Sequence, residues 1–162
     1  MTVPFYQFPA KAPYRGLPAT QIAALCWRVR DGALQVLLIS SRETGRWVIP
    51  KGWPIDGLGP AAAAAREAWE EAGAEGQVAE AELGAFGYDK QLKTSSVACS
   101  VVVFALQVRR LARRFPEHKQ RQRKWVAPNE AARLVQEPEL QALFGRIAEN
   151  PGLIAGSDPA AP

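Results

Sequence analysis

The chain has 162 residues, 48% hydrophobic and 22% charged, with a formal net charge of +4. These are values for one globular domain with a sizeable core. They exclude a membrane protein of the helical kind, since no stretch approaches roughly 18 consecutive apolar residues, and they exclude a repeat array or a cysteine-built metal module.

The opening MTVPFYQFPAKAPYRGLPAT holds four prolines and no apolar signal-type core, so residues 1–19 read as a proline-rich segment ahead of a domain over 20–149. QIAALCWRV (21–29) and LQVLLIS (34–40) predict two strands around Asp31-Gly32, a dipeptide suited to a tight hairpin. GRWVIP (45–50) predicts a short strand stopped by Pro50, followed by the loop KGWPIDGLG (51–59). GPAAAAAREAWEEAGA (59–74) predicts a helix entered at Pro60 and ended at Gly73. QVAEAELGAFGYD (77–89) and VACSVVVFALQV (97–108) predict two more strands, the second apolar enough to be central and covered on both faces. KWVAP (124–128) predicts a short strand, Pro128 opens a helix to about Val135, and 137–149 form a last helix before a frayed tail over 150–162. Strands with helices before and after them predict an α/β fold with a mixed sheet between helical layers. Cys26 and Cys99 fall in apolar runs and are expected to be buried free thiols of a protein in the reducing cytoplasm.

The alanine helix carries an electrostatic anomaly. Glu67, Glu70 and Glu71 stand at i, i+3 and i+4, where like charges destabilise a helix by roughly 0.2–0.5 kcal/mol per pair. Glu70 and Glu71 also lie at the negative end of the helix dipole. Two local rules broken in one turn point to function. At 100° per residue, Ala61, Ala65, Ala68 and Ala72 fall within about 60° of one another, a stripe able to pack closely on a sheet. The glutamates then lie on the flank, able to look toward the Lys51-Gly52 loop. A hard divalent cation, ligated by carboxylate and carbonyl oxygens, would relieve their repulsion. The plainer alternative is a solvated acidic face with an Arg66–Glu70 pair.

Gly52, Arg66-Glu67, Glu70-Glu71, Gly73 and Ala74 stand at spacings that resemble the Nudix box, Gly-x5-Glu-x7-Arg-Glu-U-x-Glu-Glu-x-Gly-U, where U is bulky and apolar. RWVIPKG also looks like the lead-in strand of that family. Two departures stand out. Small Ala68 and Ala74 occupy the U positions, and Leu58 stands where the first Glu belongs. The resemblance implies a Nudix fold, an α/β/α sandwich with a central mixed sheet. It implies hydrolysis of a nucleoside or other diphosphate linked to a further group, with Mg²⁺ or Mn²⁺. By position it makes Glu67, Glu70 and Glu71 the catalytic and metal-binding carboxylates and the Gly52 carbonyl a further ligand. One of the glutamates, or a nearby acid, would help deprotonate water. Arg66 would orient the helix and its loop. A Glu at position 58 could pair with Arg66. Here Asp56 is the candidate for that pairing, and Leu58 is expected to hold the loop by burial worth up to roughly 1.5–3 kcal/mol.

SSRETGRWVIPKG (40–52), the box and RQRKWV (121–126) together are most similar to the diphosphoinositol polyphosphate phosphohydrolases, which also cleave diadenosine polyphosphates. That likeness implies that Ser41 and Arg42 contact substrate phosphates and that Lys51 faces them. Gln21 departs from it, since the inositol-phosphate enzymes carry a basic residue there. Residues 109–124 hold eight of the 20 Lys and Arg, opposed only by Glu117. This segment alone makes the chain basic, and it either draws polyanions to the site or is a solvated connector. These charges lack the repeated aromatic interleaving that a stacking platform would require, which argues against nucleic-acid binding. His118 is expected in a mobile loop rather than as a catalytic base. Two functions remain: a metal-dependent pyrophosphohydrolase acting on a small polyphosphate, and a non-catalytic Nudix-fold module that binds a nucleotide or an RNA 5′ end. The sequence leaves the oligomeric state open.

Overall fold

The computed structural model describes residues 19–155, so the proline-rich start and residues 156–162 lie outside the described residues. Strands β1 (Ala19–Arg30) and β2 (Ala33–Ser40) form the expected hairpin. Asp31 and Gly32 both take positive φ, 54° and 77°, as a tight turn matching strand twist requires. The Trp47 region gives two separate two-residue strands, β3 (Trp47–Val48) and β4 (Lys51–Gly52), because Pro50 interrupts the ladder between them. Helix α1 (Pro60–Ala72) begins on Pro60 and ends on Gly73, whose φ of 66° lets its N–H donate back to Trp69.

The strand expected over 77–89 is two strands, β5 (Ala74–Val78) and β6 (Gly84–Gln91). Both run antiparallel to one long strand, β7 (Ser96–Leu111), β5 along its end and β6 along its start. The chain must leave the sheet between them to move down the same edge. β7 overruns its predicted end, so Arg109 and Arg110 belong to a strand rather than to a loop. Strand β8 (Arg123–Val126) pairs with β2, and helices α2 (Pro128–Leu134) and α3 (Pro138–Glu149) follow. Helical structure continues past Glu149 in a short α4 (Gly152–Ala155), whose Ala155 is buried in the core.

The sheet order is β3-β2-β1-β7-β5, with β4 on β1, β6 on β7 and β8 on β2. β1 and β7 are parallel and the other pairs antiparallel, so the sheet is mixed. Alternation along β1 and β7 sorts the core into two layers. Ile22, Ala24, Cys26, Val102, Phe104 and Leu106 pack beneath α1. Ala23, Leu25, Trp27, Val101, Val103 and Ala105 pack with α2, α3 and Ala155. The result is an α/β/α sandwich with β7 covered on both faces. Cys26 and Cys99 are free and buried.

The alanine stripe performs as its spacing suggested. Of the expected stripe, Ala61, Ala68 and Ala72 are buried against the sheet and Ala65 is half-buried, and Ala63 and Ala64 are buried as well. Ala64 has no exposed surface, so Ala64→Leu should force the helix off the sheet and destabilise the fold by about 1–3 kcal/mol. An unchanged urea midpoint would mean that α1 is not seated closely on the strands.

Candidate active site

α1, the β2–β3 loop and β4 converge on a cavity of about 620 Å³. Glu67, Glu70, Glu71 and Gly52 form its floor, and Arg42, Lys51, Arg66, Lys90 and Arg121 stand around it. Close seating of α1 brings the Glu67 carboxyl onto the Gly52 backbone, where any Cβ at residue 52 would collide with it. The Lys51 N–H donates to Glu71 Oε1 at 3.2 Å. Arg66 lies 3.9 Å from Glu70, the i, i+4 pair expected on this face.

Burial and mutual repulsion shape the proton affinities here. Glu67 is pushed up to about 8, first by desolvation, then by the charges of Glu71 and Glu70 and by a hydrogen bond shared with Glu71. Glu71 is also raised, chiefly by burial, although Arg121 opposes the shift. Burial lowers Lys51, with Glu71 and Glu137 pulling it back up. Its ammonium sits 4.9 Å over the Tyr88 ring.

The structure brings the expected site residues together and adds one that the sequence did not single out. Arg121 has a side chain only 6% exposed and bonds Glu117 at 2.8 Å, Glu71 at 3.4 Å and the Ser40 carbonyl at 2.9 Å. Glu117 is thereby drawn to the acidic floor, and its N–H donates to the Glu70 carbonyl at 3.1 Å. A lone acid in a basic run was the only sequence signal for it. Gln21 is 3% exposed and accepts a hydrogen bond from the Tyr88 hydroxyl at 2.6 Å on the cavity wall. Ser41 lines the cavity too, but its hydroxyl is engaged in the local turn, accepting from Thr44 N–H at 3.1 Å. Arg42 is tethered loosely to Glu117 at 3.9 Å.

Three expectations fail. Leu58 is 37% exposed, so it does not hold the loop by burial. Its N–H donates to the Ile55 carbonyl, closing a turn that contains Gly57 at φ 84°. Asp56 makes no ion pair among the described residues, and Arg66 pairs with Glu70 instead. His118 is partly buried and fixed, with Nδ1 2.8 Å from the Phe115 carbonyl oxygen.

The donor set suits a hard cation. Three carboxylates and the Gly52 backbone present only oxygen, and the proton that Glu67 holds is what an uncompensated carboxylate cluster requires. The cluster is not a closed cage. Among the described residues no three acid, histidine or cysteine side chains stand grouped as metal ligands, and Arg121 lies between Glu71 and Glu117. A cation held by Glu67, Glu70 and Glu71 would have to compete with that arginine for Glu71.

An acid-floored, cation-rimmed cavity beside the first helix of an α/β/α sandwich is thus the site this fold builds. The chain belongs to the NUDIX domain family, whose model matches residues 19–144. It is 38% identical over 112 residues to Nudix hydrolase 13, mitochondrial, of Arabidopsis thaliana, covering 64% of this chain and 54% of that protein. It is 40% identical over 107 residues to Nudix hydrolase 21, chloroplastic, of the same plant, covering 65% and 52%. The chain therefore spans about half the length of these curated relatives. Its fold is similar to a crystal structure of a C. elegans Ap4A hydrolase, with a TM-score of 0.59 at 19% identity over 82% of this chain and 98% of that one. A NUDIX hydrolase from Nitrosomonas europaea matches with a TM-score of 0.59 at 18% identity, over 79% and 86%.

The raised Glu67 pKa has a stability consequence in chelator. The folded chain holds this proton more tightly than the unfolded chain, so the associated stability is present below the ordinary 4.5 and lost as pH rises through about 8. Thermal unfolding in EDTA should therefore move to lower temperature across that window, and less so for Glu67→Gln. An equal fall in both proteins would place the repulsion elsewhere.

Proposed function

We propose that the chain is a metal-dependent pyrophosphohydrolase that cleaves a phosphoanhydride bond in a polyphosphorylated small molecule. The supporting observation is the arrangement of the cavity, with Glu67, Glu70 and Glu71 set against Gly52 beneath Arg42, Lys51, Arg66, Lys90 and Arg121. An acidic floor repels a polyphosphate unless a cation lies between them, and the surrounding cations fit the remaining phosphate charge.

Glu67, Glu70, Glu71 and the Gly52 carbonyl are the groups fitted to hold Mg²⁺ or Mn²⁺. When bound there, a divalent ion supplies Lewis acidity toward a phosphoryl oxygen and lowers the pKa of a water. The chain supplies the rest. Arg42 and Lys51 orient the phosphates, Arg121 holds Glu71 and Glu117 in place, and a carboxylate oxygen of the glutamate cluster takes the water's proton. α1, held rigidly to the sheet, keeps these oxygens in register with the loop.

Within this class we favour a dinucleoside polyphosphate over a diphosphoinositol polyphosphate. Gln21 places a neutral amide, tied to Tyr88, where the inositol-phosphate enzymes carry a basic residue, and Trp53 offers the cavity an aromatic face suited to a base. The buried free thiols suit a reducing compartment such as the cytoplasm.

Phosphate release with Mg²⁺ should be measured on diadenosine tetra-, penta- and hexaphosphate, diphosphoinositol polyphosphate, ADP-ribose and 5′-triphosphorylated RNA. Glu71→Gln should lower kcat at least about 100-fold, roughly 2.7 kcal/mol of barrier. Wild-type turnover by that variant would overturn the assignment. Binding without turnover of any substrate would leave the non-catalytic module as the reading. Arg42→Ser should raise KM more for the longer phosphate chains, with the difference shrinking at high salt. An equal rise for ADP-ribose would show that Arg42 does not read phosphate number.

A further inference from the structure

The basic segment does not all serve the acid-floored cavity. Arg121 enters it, but Arg110, Arg113, Arg114, His118 and Lys119 line a second cavity of about 890 Å³ that shares no lining residue with the first. Its aromatic wall is Trp69, which lies one residue before Glu70 and so projects about 100° away from it around α1. The charges of this segment therefore do have an aromatic partner, supplied by a different element of the fold.

The electrostatics of this second cavity are one-sided. Among the described residues no carboxylate lines it. Arg110 pairs with Glu75, whereas Arg113, Arg114 and Lys119 are exposed and make no ion pair among the described residues. His118 is held by its Nδ1 contact with the Phe115 carbonyl, and its ring packs edge-on against Phe115 at 5.8 Å. The imidazole therefore stands in a fixed position in the wall. Unpaired cations repel one another across such a space, and an anion entering it relieves that repulsion.

We propose that this cavity is a second, non-catalytic site for a free nucleotide, with the base against Trp69 and the phosphates between Arg113, Arg114 and Lys119. The volume lies in the range of small-ligand sites. Guanidinium pairs suit phosphate oxygens geometrically, and an indole face suits a purine. Inorganic phosphate alone would leave Trp69 unused. Single-stranded nucleic acid would want successive stacking platforms, and among the described residues lining this space Trp69 supplies the one broad aromatic face, the His118 ring being packed against Phe115. The site adjoins the first through two shared elements: α1 carries Trp69 on one side and Glu70 on the other, and the 112–122 loop carries His118 to one cavity and Arg121 to the other. Its existence does not depend on hydrolysis at the first.

The test is equilibrium dialysis of ADP against the full chain in EDTA, where the uncompensated glutamates disfavour anions in the first cavity. One ADP per chain should bind. Affinity should fall at least about tenfold, or 1.4 kcal/mol, in Arg113→Ser/Arg114→Ser and in Trp69→Leu, and stay unchanged in Arg42→Ser. Tripolyphosphate should compete, with its own affinity indifferent to Trp69→Leu. Mg²⁺-dependent hydrolysis by Arg113→Ser/Arg114→Ser should remain within about twofold of wild type. The proposal is overturned if ADP binding ignores Arg113 and Arg114 or ignores Trp69. It is also overturned if hydrolysis falls in parallel with ADP binding, or if an RNA oligonucleotide binds about a hundredfold tighter than ADP. Because Arg113 and Arg114 are exposed, their replacement leaves the core intact and the result interpretable even if Trp69→Leu misfolds.

Discussion

Everything at the acidic site depends on how closely α1 approaches the sheet. A helix seated through Ala61, Ala64, Ala68 and Ala72 can lie nearer the strands than one seated through leucines. That proximity puts Glu67 on the Gly52 backbone and brings Glu71 within reach of the Lys51 N–H. Small side chains contribute little apolar area each, so the seat is made by fit to β1 and β7 rather than by bulk. The cavity floor is consequently part of the core layer beneath it.

The same turn concentrates negative charge where a helix least tolerates it, and the chain answers from its far end. Arg123 donates to the Ala72 carbonyl at 2.9 Å and to the Ala112 carbonyl at 2.8 Å, supplying a cation at the C-terminus of α1, with its guanidinium over Phe115. Two residues earlier, Arg121 bridges Glu71 and Glu117. Gly73 must lack a side chain, both for its positive φ and because a Cβ would strike the Phe115 ring. RQRKWV thus serves as strand, clasp and counter-charge at once.

Much of this was legible in the sequence, because periodicity and turn chemistry are local. The Asp31-Gly32 hairpin, the Pro60 and Gly73 limits of α1, the two-faced cover of β7 and the meeting of the glutamates with Gly52 all follow from spacing. What was not legible depends on pairing at a distance. The split of 77–89 into β5 and β6 arises because both strands share one edge of β7. Gly76 marks that edge, since a Cβ there would strike the Gln107 carbonyl. The roles of Arg121, Arg123 and Glu117 were hidden in a run that reads as uniform positive charge. Separating inward from outward arginines requires knowing which carbonyls and carboxylates lie opposite them. Leu58 misled for a related reason, since an apolar residue in a glycine-rich turn can be left in solvent at little cost.

The alanine seat also divides the site into a part that can vary and a part that cannot. Any side chain larger than alanine on that stripe displaces the carboxylates together, so the floor admits almost no single-residue adjustment. Arg42, Trp53 and Lys90 stand on the wall and upper loops, where a change of size or charge leaves the α1–sheet contact untouched. In the proposed hydrolase, selectivity among phosphorylated compounds can therefore drift by substitution around the opening while the carboxylate floor stays anchored below. A scaffold of this kind is one on which new specificities are reached by changing what surrounds the reaction, with the reacting groups left in place.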